Sequence, residues 1–221
     1  MIPLLNTIGF EPKLVLFDLD GTLLDSLPDL YCASVSMAEA LNISAPSLLQ
    51  VEHWVGNGAA ALVQRILANQ FTPQTLDPKF EPALDLFMDF YHQLGSQQTK
   101  LYGGVELLLQ SLQKNGVKQG VITNKPSRFT RPLLSKFGIL EYFDLVYCGD
   151  TFTEKKPHPM PLLKAAKQMG IDLEQCLMVG DSSNDINAAK ACGMPCVGVR
   201  GGYNHGLDIA LCQPDWVVDH L

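Results

Sequence analysis

The sequence predicts an α/β fold: a doubly wound, Rossmann-like parallel sheet with an all-helical cap-like subdomain inserted after its first strand. Three observations carry that expectation. From residue 14 onward, short apolar runs alternate with helix-period segments, as crossover helices between parallel strands require. The interval from Asp25 to about Lys100 contains helical patterns and no convincing strand, and it is far too long for a crossover loop. The acid-bearing run Asp18-Leu19-Asp20-Gly21-Thr22 directly follows the first apolar run, at the strand end where open α/β sheets place their sites.

The elements follow in order. Leu14–Asp18 reads as a buried strand, because four successive apolar residues suit a sheet covered on both faces. Further strands are expected at Gly120–Thr123, Leu145–Cys148, Cys176–Gly180 and Cys196–Val199. Helices are expected between them, at Val105–Lys114, Met160–Met169 and Asp185–Cys192, the last stopped by Gly193 and Pro195. Within the insert, helical stretches lie near Leu27–Leu41, Ala59–Asn69 and Phe80–Leu94. Residues 1–24 and 101–221 are thus expected to form the core, and 25–100 the insert.

Composition narrows the function classes. The 221 residues are 47% hydrophobic and 18% charged, with a net charge of −7, so a sizeable core is available and disorder is not indicated. No basic stripe or Lys/Arg run is present, which argues against nucleic acid or an anionic membrane as partner. An acidic chain can still bind a small phosphate through local positive charge, for which Lys125, Arg128, Arg131, Lys155 and Lys156 are candidates. Met1 to Pro12 lacks the pattern of a secretory signal, and no span has transmembrane length. The six cysteines form no C-x-x-C pair and read as reduced, buried residues of a cytoplasmic protein.

Four motifs bear chemistry. A carboxylate at Asp18 can attack phosphorus and split one hard displacement into two easier ones. A second acid at Asp20 can protonate the leaving alkoxide and later deprotonate water, with Gly21 permitting a tight backbone and Thr22 placed to orient Asp20. Thr123-Asn124 ends the second core strand, where a hydroxyl and an amide can hold phosphate oxygens; alone, such a pair is an ordinary turn more often than a site. In Lys156-Pro157-His158-Pro159 each proline straightens the residue before it, so Lys156 becomes a positioned point charge and Pro159 can open the next helix. Lys155 reads as a solvated charge and His158 as a loop residue. Asp181, in Gly180-Asp181-Ser182-Ser183-Asn184-Asp185, stands at a strand tip as an oxygen ligand for Mg²⁺ beside Asp18. Asp185 can ligate through water, steady Lys156, or complement the helix N-terminus.

These four motifs, in this order, resemble those of the haloacid dehalogenase superfamily, and in particular its phosphatases. The resemblance spans nearly the whole chain, including the insert, which is similar to that superfamily's helical cap. It implies Asp18 as nucleophile, Asp20 as general acid/base, and Thr123 and Asn124 as phosphate-binding residues. It implies Lys156 as the motif lysine, Asp181 as a metal ligand with Asp185 as the second acid, and the backbone carbonyl of Asp20 as a further ligand to Mg²⁺. Asp25-Ser26-Leu27-Pro28-Asp29, Trp54-Val55-Gly56-Asn57-Gly58 and Gly202-Tyr203-Asn204-His205-Gly206 resemble the subgroup that hydrolyses 2-phosphoglycolate to glycolate and phosphate.

The expectation is therefore a Mg²⁺-dependent phosphomonoesterase working through an aspartyl phosphate on a small phosphorylated acid, as a monomer or small homo-oligomer. A broader sugar-phosphate phosphatase or a phosphomutase with the same core is the alternative. A receiver-like phospho-Asp switch is a more distant one, disfavoured because receivers are shorter and lack a helical insert. The insert is expected to read the substrate carboxylate. Gly56-Asn57-Gly58 offers a flexible turn whose amides can approach a ligand closely. Arg65, on the helix that follows, offers either a bidentate carboxylate partner or only a solvated charge.

Overall fold

A computed structural model describes residues 8–221. Met1–Thr7, part of the stretch expected to hold no secretory signal, lie outside the described residues. Six strands form one parallel sheet: β1 (Leu14–Phe17), β4 (Lys118–Ile122), β5 (Leu145–Tyr147), β6 (Cys176–Gly180), β7 (Cys196–Val199) and β8 (Trp216–Val218). Their spatial order is β5-β4-β1-β6-β7-β8. From β1 the chain builds one half of the sheet and then crosses back to build the other. The strand order therefore switches direction beside β1, which is where α/β sheets open a ligand crevice.

Side chains of β1 alternate between two buried clusters, as the twofold strand period dictates. Val15 and Phe17 pack with α5 (Val105–Lys114) and α6 (Ser127–Lys136). Leu14 and Leu16 pack with α7 (Met160–Met169) and α8 (Ser183–Cys192). The sheet is thus covered on both faces, which accounts for the unbroken apolar run of β1.

Between β2 (Leu24–Asp25) and β3 (Lys100–Leu101) lie four helices: α1 (Leu27–Ala40), α2 (Leu48–Trp54), α3 (Ala59–Ala68) and α4 (Phe80–Leu94). They share a third apolar cluster. On α4, Ala83, Phe87 and Tyr91 recur every four residues and are all buried, the spacing of one helical face. Each large side chain so buried contributes about 1.5–3 kcal/mol. Phe129 of α6 and Tyr203, from the loop after β7, belong to the same cluster, so the four helices pack directly on the sheet-bearing part. β2 and β3 pair antiparallel, Leu24 with Leu101 and Asp25 with Lys100. Asp29, fully buried, accepts from Gln98 N, Thr99 N and the Thr99 hydroxyl, closing the base of the insert.

Several elements differ from expectation. β1 ends at Phe17, which leaves Asp18 in the loop. α6 is not among the expected helices; Pro126 serves as its N-cap and Pro132 lies within it. α2 was also missed, although Ser47 and Gln50 form a capping box whose S-x-x-Q spacing is visible in the sequence. β8 is a three-residue strand at the sheet edge, too short for an alternation signal. Pro159 is the N-cap of α7, one residue ahead of the expected position. None of the helices among the described residues is long and apolar enough to cross a membrane.

Candidate active site

Three neighbouring strands, β4, β1 and β6, end together, and their C-terminal loops carry Thr123, Asp18 and Asp181. The loop before α7 adds Lys156 and the first turn of α8 adds Asp185. Lys156 is buried and donates to Asp18 Oδ1 at 2.7 Å and to Asp185 Oδ1 at 2.6 Å. Asp185 is completely buried, and its other oxygen accepts from the backbone N–H and hydroxyl of Ser182. Those bonds complete the N-terminal cap of α8, so one carboxylate both caps a helix and steadies the lysine. Both sequence readings of Asp185 as a lysine partner and a helix-terminal acid describe this arrangement.

Asp181 is held from two sides. The Thr22 hydroxyl donates to Oδ1 at 2.7 Å and the Tyr203 N–H to Oδ2 at 2.6 Å. Thr22 therefore orients Asp181 and not Asp20, a correction to the sequence reading. Gly21, at φ +93°, lies so close to the Asp181 carboxylate that a Cβ would collide with it; only glycine combines that backbone with that approach.

Asp18, Asp181 and Asp185 each bring a carboxylate oxygen within 4.8 Å of one another. Burial is the main reason the Asp18 carboxyl is raised to about 7; repulsion from Asp185 and Asp20 adds to it, and Lys156 opposes it. Burial likewise raises Asp181 well above the ordinary carboxylate range, with Asp18 and Asp185 adding repulsion. Burial works against the charge on Lys156, but Asp18 and Asp185 outweigh it and push its pKa up to about 12. One ammonium among three buried carboxylates leaves negative charge to be balanced. Hard oxygen donors at this separation suit Mg²⁺, so the residues fit the ion.

Asp20 lines the same cavity as Asp18. Its Oδ1 accepts from the Ser26 hydroxyl at 2.6 Å, and Lys125 Nζ lies 3.0 and 3.2 Å from its two oxygens. Lys125 is buried and also donates to the Tyr91 hydroxyl at 2.8 Å. Burial disfavours that ammonium, yet Asp20 and Tyr91 hold its pKa above the usual lysine range.

A cavity of about 50 Å³ runs between these groups and the insert. Asp18, Asp20, Thr123, Asn124 and Lys125 form its polar wall, and Leu62, Phe87 and Phe129 belong to its apolar one. Gly58 lines it as well. The Asn124 amide, however, donates to the backbone oxygens of Gly56 and Lys156, so its NH₂ is committed to the chain and is not free to hold phosphate. Asn57 is likewise committed to Asn184, and Lys155 Nζ to Asn57 O.

Arg65 departs furthest from expectation. Its guanidinium donates to the backbone oxygens of Phe71 and Trp54 and stacks over the Phe71 ring at 4.3 Å. It is absent from the cavity wall. Neither alternative raised from the sequence describes it, because it ties α3 to the end of α2 and to the loop after α3. Arg128 and Arg131 are exposed and absent from the cavity wall, and His158 is an exposed loop residue. Tyr91 carried no signal in the sequence, being one more aromatic on an amphipathic helix. Lys125 was visible only as one candidate cation among five.

The chain matches the haloacid dehalogenase-like hydrolases over residues 15–199. It is 42% identical over 211 residues to a phosphoglycolate phosphatase of Nitrosococcus oceani, covering 96% of this chain and 94% of that one. A phosphoglycolate phosphatase of Pseudomonas putida is 46% identical over 214 residues, covering 96% and 78%. The crystal structure of a predicted phosphoglycolate phosphatase from Haemophilus somnus superposes with a TM-score of 0.87 at 36% identity, covering 94% of each chain. With its motif acids and lysine gathered at the ends of three adjacent parallel strands, this chain belongs to the haloacid dehalogenase-like hydrolase family.

Proposed function

We propose that this protein is a Mg²⁺-dependent phosphomonoesterase that hydrolyses 2-phosphoglycolate through an aspartyl phosphate on Asp18. The observation that carries the reading is the Lys156 ammonium held between Asp18 and Asp185, with Asp181 alongside. The names of the relatives support the choice of substrate, and the small cavity supports a compact one. Residues 25–100 are proposed to act as the cap that closes over the core.

In this reading an Asp18 oxygen attacks phosphorus while the bond from phosphorus to the glycolate oxygen breaks. Asp20 gives its proton to the departing alkoxide. Water then attacks the phosphorus of the acyl phosphate, Asp20 takes a proton from that water, and the Asp18 carboxylate leaves. Lys156 favours the ionised form of Asp18 and offsets charge on the acyl phosphate. The Thr123 hydroxyl, in the cavity wall, donates to a phosphoryl oxygen. Asp18, Asp181 and the backbone carbonyl of Asp20 would hold Mg²⁺, and Asp185 would support the site through Lys156. The ion, when bound, supplies positive charge that offsets repulsion between Asp18 and the phosphoryl oxygens.

Phosphate release from a panel of small phosphomonoesters tests the proposal. It expects 2-phosphoglycolate to lead the panel, activity to vanish on chelation, and Mg²⁺ to restore it. Full activity in excess EDTA, or indifference to 2-phosphoglycolate, overturns the corresponding part.

A further inference from the structure

We infer that Tyr91 and Lys125 are positioning residues that tie the orientation of Asp20 to the docking of the helical insert. The inference rests on the proposed role of Asp20 in proton transfer and adds to it the means by which the insert governs that role. Lys125 has three ammonium protons and three acceptors within hydrogen-bond distance: the two Asp20 oxygens and the Tyr91 hydroxyl. Its ammonium is therefore directed at one carboxylate and one hydroxyl, Asp20 on the sheet-bearing part and Tyr91 on the insert.

Tyr91 belongs to α4, whereas Lys125 and Asp20 follow β4 and β1. The Tyr91 ring sits in the apolar seam, stacked on Phe87 of its own helix at 6.0 Å and edge-on to Phe129 of α6 at 4.9 Å. The hydroxyl can reach Lys125 only while α4 lies against α6. Ser26, which precedes α1, donates to Asp20 from the other end of the insert. One carboxylate is thus held from both ends of the insert, directly through Ser26 and through Lys125 by Tyr91. Lys125 is almost completely buried, so water replaces a lost partner poorly and the geometry is passed on to Asp20.

The test compares two small phosphates in the full-length protein with Mg²⁺. The glycolate alkoxide of 2-phosphoglycolate needs a proton to leave; the acetate of acetyl phosphate does not. Tyr91→Phe keeps the ring in the seam and removes only the acceptor. It is expected to lower kcat on 2-phosphoglycolate about tenfold, as for one hydrogen bond to a charged group, with KM near wild type and the thermal midpoint a few degrees lower, as an unmet buried donor costs. The first turnover of acetyl phosphate is expected to stay near wild type, while later turnovers slow because Asp20 must also activate water.

A double-mutant cycle supplies the second arm. Lys125→Met is expected to impair the wild-type background strongly and the Asp20→Asn background little, since groups acting as a unit are not additive. Equal first-turnover losses on both substrates, a rise in KM alone, or additive effects in the cycle would overturn the inference. A wild-type protein that cleaves acetyl phosphate but not 2-phosphoglycolate removes the substrate reading only. The coupling is then read from acetyl phosphate: slowed later turnovers in Tyr91→Phe support it, and unchanged ones contradict it.

Discussion

The Thr22 hydroxyl donates to Asp181 Oδ1 at 2.7 Å, joining positions 159 residues apart. It links the loop after β1 to the loop after β6, and so sets where one carboxylate of the acidic cluster points relative to Asp18. A buried carboxylate that loses such a donor is held less firmly in direction and in its charged form. Thr22→Val is therefore expected to raise the Mg²⁺ concentration for half-maximal activity by about tenfold or more. Rates at saturating Mg²⁺ should fall less. A Mg²⁺ titration of the variant checks this, and an unchanged midpoint would remove Thr22 from the account.

Lys156 offsets charge on Asp18 and Asp185 at once. Lys156→Met leaves those carboxylates buried together without a cation, and breaking a buried pair in this way costs about 3–5 kcal/mol. The variant is expected to lose activity and to unfold earlier in urea, with Mg²⁺ recovering part of the stability. A stability equal to wild type would show that the pair contributes nothing.

The acidic cluster also sets a pH dependence. Asp18 is raised on folding from 3.8 to about 7, and Asp181 is raised as well. A carboxyl raised on folding binds more protons in the native state than in the unfolded one. Its contribution to stability therefore falls as pH rises from the unfolded value towards the folded one, here from about 4 to about 7. Lys156 is also raised, but its contribution is complete throughout that window and is lost only at alkaline pH. Mg²⁺ competes with the same protons. The rise in melting temperature on adding Mg²⁺ should consequently be larger at about pH 8 than at about pH 5.5. Calorimetry with and without Mg²⁺ at the two pH values decides; equal increments would exclude the carboxylates as the binding groups.

Arg65 makes a contrasting case. Its guanidinium ties Trp54 O to Phe71 O outside the cavity wall. Arg65→Ala is expected to destabilise the fold by about 1–3 kcal/mol, from lost hydrogen bonds and packing. Losses of kcat/KM on 2-phosphoglycolate and acetyl phosphate should be similar. Thermal melts and parallel assays measure both. A loss confined to the carboxylate-bearing substrate would restore Arg65 as its reader.

The difference between Asp18 and Arg65 explains how far the sequence could be read. Asp18, Lys156 and Asp181 follow strands or stiffened loops whose ends the topology brings together, so a linear motif already implies a place in space. α1, α3 and α4 were legible because their apolar spacing persists over ten or more residues. Arg65, Asn57 and Tyr91 depend on how helices pack and on which backbone oxygens the loops leave open. Nothing in their local sequence encodes that. Thr22 shows the same limit at short range: it lies two residues from Asp20 yet turns to a carboxylate on another strand. Ser47 and Gln50 are the exception, since their S-x-x-Q spacing is a capping signal in the sequence itself.

The central claim is that Asp18 itself carries the phosphoryl group between substrate and water. Asp20→Asn provides the direct test, because it retains the nucleophile but lacks the base that would activate water. The variant is mixed with Mg²⁺ and acetyl phosphate, quenched in acid, and reduced with borohydride, which converts an aspartyl phosphate to homoserine. Mass spectrometry of the peptide spanning position 18 should then show homoserine in place of Asp18, dependent on Mg²⁺. An unmodified Asp18, in a sample that has released acetate, would contradict the covalent account.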